Sequence, residues 1–105
     1  MMNKIHYKGA TLIISNDGRI YSEDGDELPQ KTITNRRTGY ENKYRYVIFK
    51  SDTTGKQILA PVSRLVCMAF HPIPNPDNLT NELLYHNLQV DHRNDDPTDN
   101  RSSNL

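Results

Sequence analysis

The sequence predicts an α+β fold: a small β-rich N-terminal module with one helix, followed by a short acidic segment. Three observations carry this. Residues 44–50, YRYVIFK, alternate so that Tyr46, Ile48 and Lys50 share one strand face while Arg45, Val47 and Phe49 share the other. A polar loop, SDTTGK at 51–56, then returns the chain through Gln57–Ala60 as a hairpin. Directly after it, Val62, Leu65, Val66, Ala69 and Phe70 recur at helical spacing, with Pro61 suited to the first helical position. Upstream, residues 11–15 and 19–22 read as strands joined by Asn16-Asp17-Gly18, since Asn and Gly tolerate the positive φ of a tight turn. Asp24-Gly25-Asp26 marks another turn, and 28–33 a further short strand. Pro72, Pro74 and Pro76 end the helix and open an extended linker. Residues 79–85 predict one helical turn, Leu88 and Val90 a short strand, and 94–104 loop. The organisation read from this is a module over 1–71, a proline-containing linker over 72–87 and a final segment over 88–105.

Composition narrows the class of protein. With 105 residues, 34% of them hydrophobic and 25% charged, the chain can build one small core under much polar surface. A single cysteine, Cys67, excludes an internal disulfide and a multi-cysteine zinc cluster. No apolar run approaches the ~20 residues of a membrane span, and the N-terminus lacks a secretory apolar core. A reducing, cytoplasmic setting is expected. Eleven asparagines point to a chain rich in turns.

The formal net charge of zero hides two unequal parts. Residues 1–70 hold 11 Lys/Arg against 7 Asp/Glu, whereas 71–105 hold 2 against 6. Lys31, Arg36, Arg37, Lys43, Arg45, Lys50, Lys56 and Arg64 crowd one stretch, interleaved with Tyr40, Tyr44 and Tyr46. A basic, aromatic-laced region suits a polyanion, and an acidic one suits a cation. The same bases also serve as an ordinary solvated sheet face.

Residues 90–105, VDHRNDDPTDNRSSNL, carry the chemistry. Asp91 is a hard oxygen donor of the kind that Mg²⁺ or Mn²⁺ prefers. His92 beside it can take a proton from water at neutral pH, and the asparagines that follow can hydrogen-bond the loop and hold the ring. Together they make a metal-assisted phosphodiesterase site plausible chemistry. Taken alone, the Asp and Asn residues serve equally as turn formers.

The stretch resembles the DNA-cleaving core of the HNH endonucleases of phage and homing type, through Val90, Asp91, His92, Thr98, Asn100, Arg101, Asn104 and Leu105. Upstream, ISNDGRIYS (14–22), GYENKYRYVIFK (39–50) and SRLVCMAF (63–70) resemble, in order, blocks of the nuclease-associated module that precedes such cores. The resemblance implies a ββα-metal fold for the C-terminal part. It implies that His92 activates the attacking water, that Asp91 ligates a single divalent ion, Mg²⁺ or Mn²⁺, and that Asn104 braces the loop and the histidine. Asn100 would be loop-stabilising. Double-stranded DNA is the expected partner, held by Arg36, Arg37, Lys43, Arg45, Lys50, Lys56 and Arg64, and the setting a bacterial or phage-infected cell. Two departures are visible. The family pattern runs on from Asn-Leu into a helix bearing a further metal ligand, whereas Leu105 ends this stretch, so a partial core with an incomplete metal site is expected. Ser63 stands where the associated module often has histidine. His6, His71 and His86 show no ligand spacing, and Cys67 reads as a small apolar helix residue. The expected function is a metal-dependent DNA endonuclease; the alternative is a non-catalytic DNA-binding module with a remnant nuclease motif.

Overall fold

Two three-stranded antiparallel sheets and one helix form the frame. The computed structural model describes residues 1–34 and 36–105, and within the fifth strand the side chains of Glu41 and Asn42 are outside the description. The first sheet has the order β1 (Met2–Tyr7), β2 (Ala10–Ser15), β3 (Ile20–Ser22). β1 is a strand the sequence reading did not anticipate. Its inward positions include Asn3, and only Ile5 and Tyr7 are buried, so the apolar signal is short. Pairing supplies the rest: Lys8 and Gly9, at φ 45° and 78°, form the two-residue turn whose twist matches the strands it joins.

The second sheet has the order β4 (Lys31–Thr34), β5 (Glu41–Lys50), β6 (Gln57–Pro61). Its first strand starts later than 28–33. Leu28 is spent on β3, where its amide bonds Ile20 O at 2.8 Å and its side chain packs on the core, and Pro29 has no amide to give. The β5–β6 hairpin pairs Tyr46 with Pro61 and Lys50 with Gln57, placing Val47 and Phe49 in the core as their alternation requires.

Helix α1 (Val62–Phe70) follows with no intervening loop. Pro61 is not its first residue but the last of β6. Its φ of −67° suits both states, but pairing with Tyr46 holds ψ at 131°, which is extended. Val62, Leu65 and Val66 are fully buried, and Ala69 and Phe70 are half-buried. Each fully buried aliphatic side chain stabilises by roughly 1.5–3 kcal/mol. Both sheets and α1 share one core. Tyr7 meets Phe49 edge-on at 6.3 Å between ring centroids, and Asp52 N bonds Gly9 O at 2.9 Å.

After the prolines a single turn, α2 (Asn81–Leu84), docks on the end of β1 through Asn81 Nδ2, which donates to His6 O at 2.7 Å. Tyr85 beside it is buried. No strand forms at 88–90; the carbonyl of Leu88 instead accepts from Arg64 Nη2 at 3.0 Å. Among the described residues no helix is long and apolar enough to cross a membrane.

Candidate functional site

The segment from His92 to Leu105 is laced by side chains that bond both its backbone and one another. Asn94 Oδ1 caps Asp96 N at 2.9 Å, and Asp96 Oδ1 takes both the amide and the hydroxyl of Thr98. Asp99 binds the Arg101 guanidinium through two bonds of 2.8 and 2.7 Å, and that cation, with the hydrogen bonds around it, holds its carboxyl far below the usual carboxylate range. Asp96 is lowered too, chiefly by Thr98. Two of the acidic residues are therefore loop formers, in keeping with ordinary turn chemistry.

Asn104 closes the loop. Its buried carboxamide accepts from Asn94 N at 3.1 Å and donates to Asn94 Oδ1 at 3.0 Å and Asp99 O at 2.9 Å, while its carbonyl accepts from Arg93 N at 2.8 Å. Asn104→Ala removes all three side-chain bonds, two to exposed Asn94 and one to half-buried Asp99. We expect it to cost about 1–3 kcal/mol and to speed amide exchange at Asn94 at least tenfold, read by hydrogen-exchange NMR; unchanged exchange would show that the loop does not depend on this brace.

The imidazole is held by a different asparagine. His92 Nε2 donates to Oδ1 of buried Asn100 at 2.9 Å, and the ring lies against Tyr44 of β5, centroids 5.8 Å apart and tilted by 44°. A bond at Nε2 leaves Nδ1 of the neutral ring as the basic nitrogen, and Nδ1 has no partner among the described residues. Neither does the exposed carboxylate of Asp91. These two neighbours, like the exposed side chains of Arg93 and Asp95, have polar atoms that the loop's hydrogen bonds among the described residues do not use.

The first sheet supports this arrangement from beneath. Ser102 N donates to Asn16 O at 2.8 Å, and His71 Nε2, at the end of α1, donates to Ser102 O at 2.6 Å. Gly18, at φ 92°, backs directly onto Asn100: a Cβ there would stand 3.0 Å from Asn100 O. Gly18 therefore serves more than its own turn. Nothing in the sequence links positions 18 and 100, so this contact was invisible in it, as was that of Tyr44 with His92.

No family model, curated protein or solved structure matches the chain.

The basic residues do not gather on one surface. On β5, Lys43 and Arg45 lie on the pleat side of Val47 and Phe49, whereas Lys50 lies with Tyr44 and Tyr46. Arg36 and Arg37 are exposed in the turn before β5, Lys56 is exposed in the hairpin loop, and half-buried Arg64 is tied to Leu88. Among them Arg64 alone lines the cleft that Asp91 borders. This cleft, of about 320 Å³, is lined by Tyr44, Tyr46, Pro61, Ser63 and Arg64 together with Gln89, Val90 and Asp91.

Among the described residues no three His, Cys, Asp or Glu side chains converge on a common point. Two carboxylates close to His92 in the chain, Asp91 and Asp95, have no partner among the described residues. Mg²⁺ is often held by one or two carboxylates, with water and substrate phosphate completing its octahedron. Asp91 fits an ion shared with substrate, not one caged by protein. Burial raises the Cys67 thiol above its usual range, which keeps it protonated and unreactive.

Proposed function

We propose that the chain is a metal-dependent DNA endonuclease of the HNH kind, hydrolysing a phosphodiester at His92. The observation that carries this reading is the state of the histidine: its ring is pinned through Nε2 by Asn100, its Nδ1 is unpartnered, and the unpartnered carboxylate of Asp91 is its neighbour. Turn chemistry accounts for Asp96, Asp99 and Asn104 but requires neither feature.

In the proposed reaction Nδ1 of His92 takes a proton from water as the water oxygen attacks phosphorus. The phosphorus–oxygen bond to the leaving strand breaks, and that oxygen departs with a proton from solvent. Asn100 keeps Nε2 protonated and the ring aimed throughout, and it accepts from the imidazolium that forms. Asp91 would hold the divalent ion, which when bound supplies charge stabilisation at the phosphate. Arg64 and Lys50 carry positive charge on the side of Tyr44 and Tyr46, where backbone phosphates would pass.

The test is nicking of supercoiled plasmid. The expected result is open-circle product with Mg²⁺ or Mn²⁺ and none with chelator. Asp91→Asn should raise the metal concentration needed for half-maximal cutting, because the anionic ligand is lost. If metal yields no nicking yet duplex binding falls steeply with salt, the non-catalytic DNA-binding reading replaces this one.

A further inference from the structure

We infer that the cleft beside Asp91 is a base pocket: it receives a nucleobase turned out of the stack next to the scissile phosphate. This rests on the nuclease reading for its position, but the pocket has a chemistry of its own. A phosphate passing His92 needs cations and amide donors; it has no use for an aromatic-walled recess. The cleft offers two tyrosine rings, Tyr44 and Tyr46, and the flat face of Pro61. Polar groups suited to a base edge complete the lining: the Gln89 carboxamide and the Ser63 hydroxyl, which has no hydrogen-bond partner among the described residues. The Arg64 guanidinium is fixed by its bond to Leu88 O, so it presents a pre-set cation. Stacking surface with a few oriented polar groups is how proteins take unpaired bases.

Continuity with His92 sets the geometry. Tyr44 lines the cleft and also touches the His92 ring, and Asp91 lines the cleft while adjoining His92 in sequence. A base seated on Tyr44 therefore lies within one nucleotide of a phosphate at Nδ1. In paired B-form DNA the bases face the helix axis, so none reaches such a recess unless it is unpaired or extruded. The substrate is thus DNA with a single-stranded, bulged or readily unstacked nucleotide at the cutting position.

The experiment uses the wild-type full chain in chelator, so that nothing is cut, with DNA carrying 2-aminopurine. Three ligands are compared: a single strand, a duplex with one unpaired 2-aminopurine, and the same duplex fully paired. Expected is quenched fluorescence and binding on the order of tenfold tighter for the first two. Tyr44→Ala should abolish the quench and the preference, Tyr44→Phe should retain both, and Gln89→Ala should weaken discrimination among bases. Equal affinity for all three ligands without quenching, or a quench that survives Tyr44→Ala, overturns the pocket. Plasmid nicking is scored separately. A chain that cuts paired DNA without these signals sinks the pocket alone, and one that shows the signals but never cuts sinks the nuclease reading alone.

Discussion

Replacing His92 by alanine is expected to lower metal-dependent nicking by roughly 10²–10⁴-fold, the usual contribution of a positioned general base. Affinity for duplex DNA should stay near wild type. The His92 side chain makes one hydrogen bond to the loop, to Asn100, and packs on a tyrosine that remains, while its backbone bond from Asp95 N is untouched by the substitution. The loss should fall on kcat and leave KM near its original value, because the imidazole acts on the attacking water and not on the bound strand. Asn100→Leu, which removes the acceptor at Nε2 but leaves the base in place, should give a smaller defect. Asn100→Asp should keep most activity, since a carboxylate accepts the same N–H. The measurement is the initial rate of open-circle formation at saturating plasmid. An alanine variant that cuts at the wild-type rate would falsify the role of His92.

Gly18→Ala is expected to cost roughly 2–4 kcal/mol and most of the nicking activity. Two penalties coincide. A left-handed backbone costs a non-glycine residue about 1–2 kcal/mol, and the new methyl would press on the Asn100 backbone, its Cβ 3.0 Å from O and 3.1 Å from C. That backbone has little room to retreat, because Ser102 is held to Asn16 and to His71. Gly25 supplies the control. Its φ is 93°, almost that of Gly18 at 92°, but nothing lies within 4 Å of where its Cβ would be. Gly25→Ala should pay the backbone cost alone and cut normally. Thermal melts of both variants, with about 4–8 °C lost per kcal/mol in a domain of this size, separate strain from contact. Equal melting temperatures and equal activities for the two would mean that Gly18 does not press on Asn100.

Much of the frame could be read from local pattern. The β5–β6 hairpin and α1 follow from alternation and a helical stripe, because each buries its apolar face in the same core. β1 escaped because its own residues barely specify a strand; its edge position is fixed by pairing with β2. The expected strand at 88–90 failed for the converse reason: two apolar residues alternate there, but a guanidinium takes the carbonyl that a ladder would need. Around His92 the sequence singled out a segment and left the division of labour among its asparagines open. Two asparagines four positions apart are chemically alike, and only the backbone path reveals that Asn100 reaches the ring while Asn104 reaches Asn94 and Asp99. Contacts between distant positions, such as Gly18 with Asn100 and Tyr44 with His92, leave no trace in local spacing.

The bond from Ser102 N to Asn16 O also bears on the order of assembly. It joins a hairpin made near the beginning of the chain to a loop made near its end, so the closure entropy is met late, after both sheets have formed their local pairs. A nascent chain can therefore complete its hairpins on the ribosome while the imidazole still swings unaimed. The proposed hydrolytic centre is thereby expected to be timed as well as placed: the ring is aimed only once residues 100–102 dock against the turn at 16–18.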